Sequence, residues 1–354
     1  MNTPTFRILD TISAELGKSF SINQLTGKIK ERHGTAHYVN IYKKLHDLEK
    51  QQILDLNKIG KSSIIRLNFQ NYLLIDLLTE MDIEKKLEFL QGKTDLQMIL
   101  AEMYRYLSKL NCIKSICAMN PEKNMKLNRL ELLFLLKTSK EDSHTQDEIA
   151  KILAELQKLQ NKHNLRIDCL LLEEYEFSSL LESNEVNPLK EILSDKTVFF
   201  CPQAFWDKIK EIIDKGIEIR TKEGETKPAE IAEMDLIYNL ARFGYKEFGS
   251  RIRQGQEFCI EYVITALLMQ GDARRIEAIP IILAKHNANS NLLIFLTQKF
   301  GLSGRLLGLL KILEKTKPMK EINKTIRLLG ALDIEEIKAD EKSILQKMRL
   351  YNAA

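Results

Sequence analysis

Apolar residues recur at helical spacing from the start of the chain. Phe6, Ile8, Leu9, Ile12 and Leu16 predict a helix over residues 4–16, ended by Gly17. Ser21 is a good N-cap, and Ile22, Leu25 and Ile29 predict a second helix over Ile22–Arg32. Gly34 breaks it, and Thr35 can cap a third helix carrying Tyr38, Ile41, Leu45 and Leu48. Two short helices across a Gly-containing turn follow helix-turn-helix grammar. The period then changes to two. Ile53, Asp55 and Asn57 alternate with Leu54, Leu56 and Lys58, Gly60-Lys61-Ser62 reads as a turn, and Ser63–Phe69 alternates again. A β-hairpin directly after the third helix is expected.

Residues 71–110 read as a helical connector broken at Gly92, with Leu73, Leu74, Leu77, Leu78 and Met81 on one face and a further helix over Asp95–Leu110. Residues 111–215 alternate strands and helices. The strands are Ile113–Met119, Glu131–Leu136, Leu165–Leu172 and Thr197–Phe200. An amphipathic helix covers Thr145–His163, and another starts at Phe177–Leu181. Residues 216–354 open on a Lys-, Glu-, Gly- and Thr-rich stretch, in which "GIEIRTKEGET" could form two short strands. They then read as helices over Ala229–Phe243, Tyr245–Gln254, Glu257–Gln270, Ala273–Lys285, Asn291–Phe300, Ser303–Lys315, Met319–Leu329 and Ile334–Leu350. Short connections between helices of this length describe an orthogonal bundle. Pro280 should kink its helix, and Gly301, Gly304 and Gly308 point to close helix packing. The expected fold is multidomain α+β: a three-helix unit with a hairpin, a central α/β domain and an all-α C-terminal bundle.

Charge sharpens the first unit. The whole chain is only +4, but residues 1–70 hold eleven Lys/Arg and six acids, so the excess is local and marks where a polyanion would dock. His37 and Asn40 lie near the N-terminal end of the third helix, where base edges are reached. Lys43 and Lys44 suit phosphates, as do Lys58 and Lys61 at the hairpin tip. The DNA-facing set is Thr35, His37, Tyr38, Asn40, Lys43, Lys44, Lys58, Lys61 and Arg66. The five cysteines include no Cys-x-x-Cys pair, so no zinc ribbon is visible and buried free thiols are expected. A polar N-terminus without an apolar h-region, and no apolar run of the roughly 18 residues a span needs, predict a cytoplasmic protein with no membrane partner. Asp272 should cap the helix that follows it. Arg274 and Arg275 in that helix's first turn oppose its dipole, which marks an anion site or a pair with Glu261 or Glu277.

The stretch "SINQLTGKIKERHGTAHYVNIYKKLHDLEKQQILDLNKIGKSSIIRLNF" resembles the winged helix-turn-helix of prokaryotic transcription regulators, over about a fifth of the chain. The middle, above all "EEYEFSSLLES" and "NPLKEILSDKTVFFCPQAFW", resembles the minimal nucleotidyltransferase fold of the polymerase-beta-like superfamily. That resemblance implies a Gly-Ser turn after the first strand and three carboxylates holding two magnesium ions. Here Cys117-Ala118 falls at the Gly-Ser position and Arg129 at the first carboxylate. Only Glu131 and Asp168 remain acidic. A guanidinium there would repel a metal and could pair with both acids, so these residues are read as vestigial and the fold as an inactive transferase. The expected function is a DNA-binding regulator, acting as a homodimer on double-stranded DNA, with the other domains responding to a protein or nucleotide effector and with no cofactor. The alternatives are a nucleotidyltransferase using Mg²⁺ and a nucleoside triphosphate, guided by its winged helix, and a non-catalytic scaffold that uses the winged helix to hold protein.

Overall fold

The computed structural model describes residues 3–59, 62–137, 142–217, 219, 227–246 and 254–353, a mixed α/β chain with two small sheets. The first unit runs α1 (Thr3–Ala14), β1 (Phe20–Ser21), α2 (Ile22–His33), α3 (Tyr38–Lys50), β2 (Leu54–Ile59) and β3 (Ser62–Leu67). Ile8, Leu9, Ile12, Leu25, Ile29, Ile41, Leu45 and Leu48 form its core, closed by Phe20 and Ile65 from the sheet. Ser21 caps α2 as expected, and Gln24 completes a reciprocal box: the Gln24 N–H donates to Ser21 Oγ and the Ser21 N–H to Gln24 Oε1. Thr35 does not cap α3. The cap position is His37, without a side-chain bond, and the Thr35 hydroxyl and carbonyl instead accept from Arg7 at 3.1 Å each. The helix therefore begins at Tyr38. Strands β2 and β3 pair antiparallel from Leu54↔Leu67 to Ile59↔Ser62, and β1 joins the far side of β3, giving the order β1-β3-β2. Lys61 lies outside the described residues.

The helices α4 (Leu73–Leu90) and α5 (Thr94–Leu107) lead into a sheet of β4 (Ile113–Met119), β5 (Arg129–Leu136), β6 (Arg166–Glu173) and β7 (Lys196–Phe200). Its order is β6-β5-β4-β7, with β5 and β6 parallel and the other pairs antiparallel. Between strands lie α6 (Pro121–Met125), α7 (Asp142–His163), α8 (Glu174–Glu182) and α9 (Pro188–Ile192), and α10 (Pro202–Asp214) follows β7. The runs Leu132–Leu136 and Cys169–Leu172 are continuously apolar because both faces of the parallel pair are covered, and Glu131 and Asp168 are the buried charges that precede them. Asp82 of α4 is buried and accepts from Trp206 Nε1 at 2.8 Å and from the Val198 N–H at 3.2 Å, which ties α4 to β7 and α10. Of the five free thiols four are buried, and Cys201 is exposed, contrary to expectation. It precedes Pro202 in a left-handed backbone conformation that turns the chain from β7 into α10.

The C-terminal part is helical, with several departures from the expected segments. A single turn of 3-10 helix at Pro228–Glu230 precedes α11 (Glu233–Arg242), and α12 (Ile260–Gln270) starts three residues later than expected. The delay arises because Val186 hydrogen-bonds Glu257 and Cys259, holding Phe258 in a bridge. The helix expected over Tyr245–Gln254 is absent at Tyr245, Lys246 and Gln254. Its remainder, like the Lys222-Glu223-Gly224 hairpin, lies outside the described residues. The Pro280 helix divides into α13 (Ala273–Ile276) and α14 (Ala278–Lys285) at Glu277, since proline cannot donate to the Ile276 carbonyl four residues back. After α15 (Ser290–Lys299), α16 (Ser303–Thr316) and α17 (Lys320–Ala331), residues 334–339 are not helical, and α18 (Glu341–Leu350) starts behind an Asp340 cap. The intervening segment straps across α16, with the Ile337 N–H donating to the Gly304 carbonyl at 3.0 Å. A Cβ on Gly304 or Gly308 would meet a strap carbonyl at 2.5 or 2.1 Å. These glycines therefore admit an extended strap rather than a neighbouring helix. No helix among the described residues is long and apolar enough to cross a membrane.

Buried charge joins the first unit to the centre. Asp10 on α1 binds Arg32 at 2.6 Å, His33 at 3.3 Å and Lys85 of α4 at 2.9 Å. Lys85 also donates to the Lys196 carbonyl at 2.8 Å, and Lys196 donates to the Ser13 carbonyl at 3.4 Å. Burial works against the Asp10 carboxylate, but Lys85, His33 and Arg32 overcome it and hold its pKa well below the ordinary 3.8. Burial pushes Lys196 down to about 8. Because the folded pKa of Asp10 is depressed, its contribution is complete above about 3.8 and is lost as pH falls below that value. Asp10→Asn should lower the unfolding free energy by about 3 kcal/mol near neutral pH. The gap between parent and variant should narrow as the pH is stepped below 4, as read from urea denaturation across that range.

Candidate nucleic-acid interface and a buried charge cluster

Ile41, Leu45 and Leu48 turn one face of α3 inward, which leaves Tyr38, Val39, Asn40, Tyr42, Lys43 and Asp47 exposed, with Lys44 and His46 half-buried. Tyr38 stacks on Tyr42 with centroids 6.0 Å apart, and Tyr42 meets His46 edge-on at 4.5 Å. Val39 is 61% and Tyr38 45% exposed, so this surface offers apolar as well as cationic contact. Elsewhere in the unit Lys18 and Lys28 pair with Glu15, Arg32 pairs with Asp10, and Arg7 holds Thr35. Among the described residues, no carboxylate pairs with Lys43, Lys44 or Lys50 of α3, or with Lys58 on β2.

The structure brings His37, Tyr38, Asn40, Lys43 and Lys44 together on or beside α3. Lys58 lies on the hairpin face that also carries the buried Leu54. Arg66 stands apart. Its neighbour Ile65 fills the core, so Arg66 projects from the opposite face of the sheet, where its Nε donates to Ser19 Oγ at 2.9 Å. Thr35 is held by Arg7. Val39 and Tyr42 were not in the sequence-derived set. The spacing of Ile41, Leu45 and Leu48 could have placed them outward.

The second constellation lies in the central sheet. The parallel register sets Arg129 opposite Arg166 and Glu131 opposite Asp168, and the two-residue spacing puts all four on one face. Arg129 reaches Glu131 at 2.7 Å and Asp168 at 2.6 Å, bridging both acids. Arg166 adds a contact to Asp168 at 3.1 Å, and Lys299 at the end of α15 reaches Glu131 at 3.2 Å. Glu131 is 1% and Asp168 2% exposed. Three cations thus surround two carboxylates, so the local charge is positive. Such a setting repels a divalent ion and lets the acids act as structural anchors between sheet and bundle. Cys117 and Ala118 lie inside β4, fully buried, and form no turn. An open cleft of about 720 Å³ adjoins Arg166 and Asp168, lined by the amides of Asn128, Gln160, Asn161 and Asn164.

Asp272 caps α13, accepting from the Arg274 N–H at 2.9 Å. Arg275 binds Glu233 at 2.5 Å and Gln270 at 2.8 Å, not Glu261 or Glu277. Glu277 pairs with Lys347, and Glu261 accepts from the Asn289 N–H. Arg274 is exposed.

Compared with known proteins, the chain matches no family model, no curated protein and no solved structure.

Removing one partner of a buried pair strands the other charge. Arg129→Met should therefore lower stability by about 3 kcal/mol, and Arg129→Lys should fall between it and the parent because an ammonium lacks the guanidinium fork. Urea titration of the three proteins checks this ordering.

Proposed function

We propose that this protein binds double-stranded DNA through α3 and the β2–β3 hairpin, as a winged helix-turn-helix does, and that its central domain is a non-catalytic relative of the nucleotidyltransferases. The observation that carries the reading is the set of α3 lysines without carboxylate partners among the described residues, beside exposed Asn40, Tyr38 and Val39. The order of three helices followed by a hairpin supports it. In this reading Asn40 meets a base edge, Val39 and Tyr38 touch thymine methyls, and Lys43, Lys44 and Lys58 neutralise phosphates. The bridged acids Glu131 and Asp168 argue against two-metal transfer. The neighbouring amide-lined cleft is the place for a nucleotide effector, since amides match base edges.

Retardation of duplex DNA tests the first part. Binding should weaken steeply with salt, and Lys43→Ala should reduce the slope of log affinity against log salt by about 1. Asn40→Ala should cost about 1–3 kcal/mol of discrimination between preferred and random duplex. Absence of retardation at low salt would overturn DNA binding and favour a protein partner for the exposed Tyr38, Val39 and Tyr42. Labelled nucleoside triphosphates with Mg²⁺ or Mn²⁺ test the second part. Transfer that disappears in Glu131→Ala and Asp168→Ala would overturn the non-catalytic reading.

A further inference from the structure

A cavity of about 240 Å³ lies where the end of α1, the turn at Gly17, strand β3 and the chain leaving α10 meet. Ile12, Leu16, Leu67, Phe69, Ile213 and Ile217 supply its apolar walls, and Lys18 and Arg66 are its charged residues. No carboxylate lines it among the described residues. Lys18 pairs with Glu15 at 2.5 Å. Arg66 gives its Nε to Ser19, and among the described residues no acid pairs with its guanidinium. The backbone at Ile219 closes one end, resting so near Gly17 that a Cβ there would meet the Ile219 carbonyl at 1.9 Å.

We propose that this cavity binds an amphipathic monocarboxylate, a medium-length alkyl or small aryl chain bearing one acid group. The apolar walls suit the chain. The guanidinium of Arg66 suits the carboxylate, which it can meet with two parallel N–H donors. An apolar cavity of roughly 150 Å³ holds a benzene ring, so this one admits roughly eight to ten carbons. Charge complementarity selects the occupant: a cation would find no acid among the described lining residues, and a neutral chain would leave Arg66 unmatched. The walls come from the first unit and from α10 together, so an occupant bridges the two. Arg66, which the sequence assigned to phosphate, takes this role because it stands on the sheet face away from α3.

Octanoate is the probe, with octan-1-ol as the same chain without charge. Both are titrated into the full chain without DNA, by calorimetry and by thermal unfolding, so the outcome is independent of whether DNA binds. Octanoate should bind saturably, one per chain, and about ten-fold or more tighter than octanol. Arg66→Gln should bring octanoate down to the octanol level and leave octanol unchanged. Leu67→Trp should fill the cavity and abolish both. Arg66 takes no part in the core, so its variant remains informative if Leu67→Trp fails to fold. Several outcomes would overturn the site: no saturable octanoate binding at millimolar concentration, equal binding of octanol by the parent, or octanoate affinity unaltered in Arg66→Gln. A concentration-dependent dimer of the unliganded chain, broken by Leu67→Trp, would assign the groove to a second copy instead.

Discussion

The position of the first unit depends on a buried carboxylate held by two cations and a histidine. Asp10 faces Arg32 and His33 from its own unit and Lys85 from α4. Lys85 in turn reaches the Lys196 carbonyl, so one network spans α1, α2, α4 and the entry to β7. Burial alone would disfavour every one of these charges. Each is tolerated because the others are present, and the arrangement is therefore specific: sliding α1 along α4 by one turn would strand Asp10 and Lys85 together. Apolar contact glues the two units, and the network fixes how they face each other.

The cluster at Arg129 follows the same logic with a different consequence. Two carboxylates on neighbouring parallel strands are mutually repulsive unless a positive charge sits between them. A divalent ion is one solution and a guanidinium is another. Arg129 occupies that role from within β5, and Lys299 and Arg166 close the remaining sides. Because Lys299 belongs to α15, the cluster also seats the helical bundle on β6. A permanent cation in that place makes the cluster a joint between the sheet and the helices that follow it.

Most helices and strands were legible because periodicity reports burial on an element's own face. The parallel strands were legible as apolar runs interrupted by Glu131 and Asp168, and the pairing of Arg129 with both acids was expected from the transferase resemblance, which set a guanidinium at a carboxylate position. Features set by distant partners were hidden. Thr35 has the chemistry of a cap, but Arg7 lies close enough to claim it. Residues 334–339 carry helical spacing, yet Gly304 and Gly308 offer a groove that an extended segment fills better. The side of the sheet taken by Arg66 was written in the alternation with Ile65, but charge counting overlooked it. The sequence thus revealed which residues are polar, and not which of them face one another.

That distinction matters most for the local excess of positive charge. A net excess in a unit says little until the pairs within it are removed. Glu15 engages Lys18 and Lys28, and Asp10 engages Arg32, so three cations leave the count. Those on α3 and β2, with Lys30 of α2, have no carboxylate partner among the described residues. Asp10 is placed where the unit meets α4, and the α3 lysines lie on an exposed face that also carries Asp47. Arg66 lies apart from both, without an acidic partner among the described residues, at the mouth of an apolar cavity. A guanidinium can meet a carboxylate with two parallel N–H donors, so the proposed occupant and the proposed duplex would engage basic residues on two different surfaces.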